Sequence, residues 1–309
     1  MTLVVGYAPG ARGQAALHLA AMLARSAGDD VVVASVVPAP WVPGMARVDG
    51  EYHQQLDDAA DRALDRAKEL WPDGVRATYV RHRARSAPAG LLEIAHQHEA
   101  SMVVLGSSSA GVFGHVALGS VTDRLVHSST VALALAPRGF RAARDARVTR
   151  VTAAYGGSSS AEQLVVAAAS VAAQVGAAMR VASFAVWRRP AYTTALGTDS
   201  EDLVLREWTD QVRETAHSAV AQVEGLAFAP HDLELVIGSG RSWAEAVEDV
   251  GWDDGDVLVV GSSELGPVAQ VFLGSRASKI VRHSPVPVVV VPRARAEELA
   301  ERAARTGTP

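Results

Sequence analysis

Two short phrases of glycine and serine recur in this chain, and they have the residue types of an anion-binding loop. Gly106 is followed thirteen residues later by Gly119-Ser120, and Gly261 is followed at the same spacing by Gly274-Ser275. Each phrase lies between an apolar run and a stretch with helical spacing. Backbone N–H groups that a helix leaves unpaired at its start, together with the helix dipole, attract phosphate groups. The sequence therefore predicts two phosphate-sized sites, or the remains of two.

Strands and helices must alternate around these loops to position them. In the first half, apolar runs typical of buried strands cover Leu3–Val5, Val31–Val37, Val75–Val80, Met102–Leu105 and Val131–Ala136. Segments with helical spacing lie between them at Gln14–Arg25, Gln54–Leu70, Ala89–His98 and Val121–His127. The second half repeats the order, with runs at Val148–Ala154, Val181–Val186, Leu233–Ile237, Val257–Val260 and Val286–Val291. This alternation predicts, in each half, a parallel sheet covered by helices on both faces.

The offset between the two halves divides the chain. Gly106 and Gly261 differ by 155 positions, whereas Tyr7 and Tyr155 differ by 148, so the second half carries about seven extra residues before its fourth strand. We expect most of that excess in a loop over Trp187–Asp202. The predicted units are a first domain over residues 1–140, a second domain over residues 146–295 and a C-terminal tail over residues 296–309. The tail has helical composition up to Arg305.

Composition and charge exclude several classes of function. A net charge of −5 and a pI near 6.1 argue against a nucleic-acid partner, which requires a strongly basic face. The chain has no cysteine, which excludes disulfides, thiolate metal sites and thiol catalysis and favours a reducing cytoplasm. Met1 leads directly into a strand without a signal sequence, and the Ala-rich stretch Leu164–Met179 is too short to span a bilayer. We therefore expect a cytoplasmic protein without a membrane partner.

No sequence motif names a catalytic machinery or a metal site. The chain contains no G-x-S-x-G elbow, no G-x-x-x-x-G-K-[ST] loop and no H-E-x-x-H. His96 and His98 are two residues apart on a predicted helix, so they point in different directions and make a poor metal pair. The prediction is a protein with no metal and no catalytic residues, although a slow ATPase stays open.

The chain resembles the universal stress protein family in its tandem form. The likeness rests on the two loop phrases, on Gly119-Ser120-Val121-Thr122-Asp123 and on the closing Ser284–Pro292, and it covers Leu3–Pro137 and Val148–Pro292. The resemblance implies two α/β domains, each with a five-stranded parallel, Rossmann-like sheet of the adenine-nucleotide α-hydrolase type. It also implies an ATP site at the strand ends and pairing of the last strands into an internal pseudo-dimer. A homodimer of the whole chain stays open.

This resemblance carries the candidate nucleotide-binding residues. In the first half they are Gly6, Ala8, Val36, Gly106, Ser109, Gly119 and Ser120. In the second half they are Gly261, Glu264, Gly274 and Ser275.

Several of these positions depart from the family pattern. Ser109 and Glu264 replace its second motif glycine, and Ala8 and Gly156 replace an aspartate after the first strand. Serine is a mild change unless the backbone requires positive φ. A carboxylate about 4 Å from a phosphate would cost on the order of 4 kcal/mol at an effective dielectric near 20, whereas one turned to solvent would cost little. The first half is therefore the favoured site for ATP.

Three functions stay in competition. The first is a non-catalytic stress-response protein with degenerate nucleotide sites and weak or absent ATP binding, which regulates an unidentified protein partner. The second is an ATP or AMP sensor that uses mainly the first half. The third is a structural scaffold in which both loops have collapsed. Two missing glycines and two missing aspartates favour the first.

Overall fold

The structure is a computed structural model that describes residues 1–39, 46–72, 74–187, 210, 213–226, 230, 232–263 and 270–306. In the first half the strands are β1 (Thr2–Gly6), β2 (Asp30–Pro38), β3 (Ala77–Ala84), β4 (Met102–Gly106) and β5 (Ala132–Ala136). The helices there are α1 (Ala11–Ala27), α2 (Ala46–Leu70), α3 (Ala87–Gln97) and α4 (Ser120–Leu125).

The second half repeats this order of elements. Its strands are β6 (Arg150–Ala154), β7 (Ala178–Val186), β8 (Leu233–Gly240), β9 (Asp256–Gly261) and β10 (Val288–Val291). Its helices are α5 (Ser159–Val175), α6 (described over residues 213–224), α7 (Trp243–Glu248), α8 (Ser275–His283) and α9 (Arg293–Thr306). Most of the loop predicted over Trp187–Asp202 lies outside the described residues, and the predicted tail over 296–309 lies in α9 up to Thr306.

The ten strands form one sheet, in the order β3-β2-β1-β4-β5-β10-β9-β6-β7-β8. All pairs within each half are parallel, which confirms the predicted five-stranded parallel sheets. The two halves meet where β5 and β10 pair antiparallel, with Ala134 opposite Val289. The expected pairing of the last strands is therefore confirmed, and it joins two sheets into one.

Apolar side chains cover both faces of this sheet. One face packs against α1, α2, α5, α6 and α9, through residues such as Leu17, Leu64 and Leu164. The other face packs against α3, α4, α7 and α8, through residues such as Ile94 and Val281. Strands that are buried on both faces need no polar alternation, which explains their nearly continuous valines.

The connection between the halves is held against α1. The Arg25 guanidinium donates a hydrogen bond to the Ala146 carbonyl at 3.0 Å, and the Val148 N–H donates to the Ser26 hydroxyl at 2.8 Å. The Arg141 guanidinium donates to the Gln14 side-chain carbonyl at 2.5 Å. These bonds fix the path of the chain from β5 to β6.

One buried ion pair distinguishes the second half. Arg150 on β6 and Asp256 on β9 are paired in register, and their side chains form a hydrogen-bonded ion pair at 2.6 Å. The Asp256 side chain is fully buried, and Arg150 also reaches the exposed Asp253 at 2.7 Å. A buried carboxylate depends on its partner because desolvation otherwise opposes its charge.

Within the described residues, no helix has the length and apolar character needed to cross a membrane.

We expect the substitution Arg150→Leu to lower the free energy of unfolding by about 3 kcal/mol, because it leaves the Asp256 carboxylate buried without its cation. Urea unfolding at neutral pH measures the change. Arg76→Leu is the matched control, since Arg76 pairs with Asp30 on the surface at 3.0 Å, and loss of such a pair changes stability by less than about 1 kcal/mol. Equal effects of the two substitutions would contradict the prediction.

Candidate functional site

A cleft of about 270 Å³ opens at the carboxyl ends of β1, β2 and β4. The strand order reverses here, because the chain passes from β1 to β2 and β3 on one side and then returns to place β4 on the other side of β1. Ligands of open α/β sheets bind at such a reversal. Six of the seven residues predicted for the first half line it: Gly6, Ala8, Val36, Gly106, Gly119 and Ser120. Ser109 is the seventh, and it lies outside the lining on an exposed part of the loop.

The backbone at Ser109 suits a residue with a β-carbon. Among the described residues other than glycine, only Glu99 and Asp232 have positive φ. Serine at this position therefore causes no backbone strain, which is the milder of the two cases distinguished from the sequence.

Gly106 is required by packing at the end of β4. A β-carbon on this residue would lie 2.0 Å from the Arg12 carbonyl oxygen at the start of α1. At Gly119 the nearest atom to such a carbon would be the Ser108 β-carbon at 3.4 Å, and φ is −95°. Gly106 thus lets the first helix approach the sheet, whereas Gly119 leaves space at the cleft.

The first serine after Gly106 holds the loop closed at its base. The buried Ser107 hydroxyl donates to the Ala136 carbonyl at 2.6 Å and accepts from the Ala117 N–H at 2.9 Å. Ser108 completes the closure by donating its N–H to the Ala117 carbonyl at 2.8 Å. Gly106 is thus followed by two serines that hold the loop in place, a structural role that the spacing of the glycines did not reveal.

The second half closes its loop in the same way. The Ser262 hydroxyl accepts from the Phe272 N–H at 3.1 Å, and the Ser263 N–H donates to the Phe272 carbonyl at 2.7 Å. All three residues follow their counterparts in the first half by 155 positions, so the offset found in the sequence holds for individual hydrogen bonds.

The second cleft is smaller, at about 180 Å³. Gly261 lines it, whereas Gly274 and Ser275 do not, and Glu264 lies outside the described residues. Phe184 and Trp243 stand where the first cleft has Val36 and Ala87.

These two aromatic residues account for the narrower space. Phe184 follows Val36 by the same 148 positions that separate Tyr7 from Tyr155. Trp243 and Ala87 each come directly after a serine that caps its helix, Ser242 and Ser86 respectively. Sequence reasoning missed both aromatics. The 148-residue offset is the signal that would have identified Phe184, and the matching serine caps are the signal for Trp243.

Each cleft has one arginine in its lining, and the two arginines come from non-equivalent helices of the repeated unit. Arg12 is in the first turn of α1 in the first cleft, and Arg276 is in the first turn of α8 in the second. Their counterparts are Ser160 and Val121, so neither cleft has both cations. Among the described residues, no carboxylate forms an ion pair with Arg12 or Arg276. Arg12 was missed by the sequence-based prediction, and only its place near the start of α1 could have indicated it.

The described residues of the two linings include no carboxylate, imidazole, amine or thiol that could serve as an acid or base. Within the described part of the chain, both linings lack Asp, Glu, His, Lys and Cys side chains. Burial raises the pKa of both lining tyrosines, Tyr7 and Tyr155, so these phenols stay protonated at neutral pH. Among the same described residues, no group of three or more His, Asp or Glu side chains could hold a metal ion.

The two cleft loops contact the opposite halves of the molecule. The Val116 N–H donates to the Ser284 carbonyl at 3.3 Å, and the Val271 N–H donates to the Ser129 carbonyl at 2.6 Å. These two bonds are equivalent under the 155-residue offset. Each loop is therefore positioned partly by the end of the opposite half's short helix.

Comparison with known proteins agrees with this architecture. The Universal stress protein family matches the chain twice, over residues 1–137 and 147–292. Universal stress proteins of Mycobacterium tuberculosis (strain ATCC 25618 / H37Rv) and Mycobacterium bovis (strain ATCC BAA-935 / AF2122/97) are each 40% identical over 296 residues, which cover 94% of this chain and 100% of the relative.

Solved structures share the fold at low sequence identity. A universal stress protein from Archaeoglobus fulgidus DSM 4304 matches with a TM-score of 0.59 and 17% identity, covering 94% of this chain and 98% of that one. A putative universal stress protein from Pseudomonas aeruginosa UCBPP-PA14 matches with a TM-score of 0.57 and 13% identity, covering 98% of both chains. The class is thus a tandem of two Rossmann-like α/β modules. The chain belongs to the universal stress protein family.

We expect Gly106→Ala to lower the free energy of unfolding by about 2 kcal/mol, because the added methyl group forces α1 away from β4. Gly119→Ala is the matched control in the same loop, and it should change stability by less than about 1 kcal/mol, since its methyl group meets only an ordinary contact distance. Chemical denaturation of both variants measures the difference. A Gly106→Ala variant as stable as the control would show that the predicted clash is relieved without cost.

Proposed function

We propose that this protein is a non-catalytic stress-response protein that binds an adenine nucleotide weakly in its first cleft and not in its second. The main observation behind this proposal is the first cleft itself: it is open, its arginine forms no ion pair with a described residue, and it has no carboxylate among its described lining residues. This proposal combines two expectations from the sequence: that ATP binding is weak or absent, and that the first half is the favoured site.

The first cleft has two walls of different chemistry, which supports a nucleotide as its ligand. One wall is apolar, with Ala34, Val36, Ala87 and Leu91, and it suits the flat face of a heterocyclic base. The other wall consists of glycine and hydroxyl residues with Arg12 at its edge. A guanidinium forms strong charge-assisted hydrogen bonds with phosphate oxygens.

The same cleft lacks features that would make binding tight. Ala8 offers no hydrogen-bonding side chain at the end of β1, where the family pattern implies an aspartate. Arg12 is exposed and is the sole charged side chain among the described lining residues, so water and salt screen its attraction for phosphate. We therefore expect a dissociation constant on the order of 1 mM, equivalent to about −4 kcal/mol.

The second cleft disfavours a nucleotide for steric reasons. Phe184 and Trp243 occupy its base-side wall, and its volume is about 180 Å³ compared with about 270 Å³ for the first. A base could enter only if a large aromatic side chain moved, which costs packing energy.

A regulatory role is supported by the tip of the first cleft loop. Val112 and Phe113 are 71% and 72% exposed, although both are large apolar residues. They lie in the loop between Gly106 and Gly119, so a ligand that orders this loop also changes an apolar surface. Such a surface suits recognition by a protein partner.

Calorimetric titration of the full chain with ATP tests the nucleotide proposal. We expect one weak site in the wild-type protein, and Arg12→Ala should weaken it about tenfold, since a hydrogen bond to a charged group contributes about 1.5–3 kcal/mol. Arg276→Ala is the matched control in the second cleft and should leave the affinity unchanged. Nucleotide that co-purifies at two equivalents per chain, or an effect of Arg276→Ala as large as that of Arg12→Ala, would refute the proposal.

A second measurement tests the absence of catalysis. We expect phosphate release from ATP at the rate of the buffer alone, because the described lining of the first cleft offers no general base to activate water. Gly119→Val, which narrows the cleft, is the control for contamination. Hydrolysis by the wild-type protein that Gly119→Val abolishes would contradict a non-catalytic role.

A further inference from the structure

A third cavity lies between the halves of the molecule, at the amino ends of the first half's strands and therefore at the opposite edge of the sheet from the first cleft. It measures about 190 Å³ and lies on the face of the sheet that α1, α5 and α9 cover. Its floor is formed by strands of both halves through Leu3, Ala132, Val151, Val257 and Val289. The site therefore exists only because the two halves share one sheet.

Apolar side chains dominate the walls of this cavity. Helix α1 contributes Leu23, and α5 contributes Leu164, Ala168 and Val171. Val171 is 39% exposed, and it marks the opening to solvent together with Met1. A cavity with such a lining does not stabilise water, because a buried water needs two to four polar partners.

Three polar side chains at the edge of the cavity already have partners within the protein. Asp29 accepts from the Met1 amino group at 2.8 Å, and Arg295 pairs with Glu298 at 2.7 Å. The Ser26 hydroxyl donates to the Met22 carbonyl and accepts from Val148, both at 2.8 Å. These three groups already form hydrogen bonds or ion pairs within the protein, and together with the mainly apolar lining this favours an apolar ligand.

The roof of the cavity is an addition to the repeated module. Helix α9 supplies Arg295 and Leu299 to the lining, and its Ala296 and Ala303 are buried. This helix begins after residue 292, where the second family match ends, whereas the described residues 138–149 that follow β5 in the first half form no helix. The roof of the cavity is thus formed by a helix that lies outside the two repeated modules.

We propose that this cavity binds one small, uncharged apolar molecule of about the size of a single aromatic ring. An apolar protein cavity of about 150 Å³ stays dry and binds benzene or xenon, and the present cavity is of similar volume. Occupation restores the contacts that the lining side chains lack across the empty space. The inference does not rest on the nucleotide proposal, because the cavity and the first cleft share none of their described lining residues.

Benzene is the probe for a direct test with the full chain. We expect benzene to raise the thermal unfolding temperature of the wild-type protein in a concentration-dependent manner, since a ligand that binds only the folded state stabilises it. Calorimetric titration then gives the affinity and a stoichiometry of one. Absence of both a thermal shift and a binding heat near the solubility limit of benzene would overturn the proposal.

Two filling variants locate the site. Ala132→Leu extends from the floor and Ala168→Leu from the α5 wall, and each should weaken benzene binding at least tenfold. The second variant keeps the test valid if the first does not fold. Ala87→Leu is the matched control, because Ala87 lines the nucleotide cleft instead, and it should leave benzene binding unchanged. A folded filling variant that binds benzene as the wild type does would place the binding elsewhere and refute the proposal.

Discussion

The antiparallel pairing of β5 and β10 is the interaction on which the rest of the structure depends. Ala134 lies opposite Val289, and these residues are each other's counterparts under the 155-residue offset. The pair therefore lies on the local twofold axis that relates the halves, as in an isologous dimer interface. Because of this axis, the strands of the two halves run in opposite directions, so the two clefts open on opposite edges of one sheet, and each cleft loop reaches the opposite half.

The two halves keep a common framework and differ in the side chains that fill it. Loop closure by Ser107 and by Ser262 follows one design, down to the hydrogen bonds with Ala117 and Phe272. The differences lie in the walls of the clefts. Aromatic side chains in the second cleft replace small ones in the first, and the arginine of each cleft comes from a different helix. The shared fold thus determines the backbone and loop geometry of both halves, whereas the ligand preference of each cleft depends on a few substitutions in its walls.

Local patterns predicted most of the elements, and the offset between the halves predicted their repetition. Each of the ten strand runs found in the sequence overlaps a strand of the structure, because buried strands leave a continuous apolar signal. The pairing of the last strands came from the family resemblance. The role of Gly106 could not be predicted, since the Arg12 carbonyl that excludes a side chain there is distant in sequence. The cavity under α9 depends likewise on contacts between elements far apart in the chain.

The short connection between β5 and β6 changes the thermodynamics of association. For two separate chains, the assembled fraction follows protein concentration by mass action. Here residues 138–149 run along α1, with Ala146 and Val148 bonded to it, so the halves meet at a fixed effective concentration. Assembly then no longer requires that both partners be identical copies. Each half can diverge on its own, as the contrast between Ala87 and Trp243 illustrates.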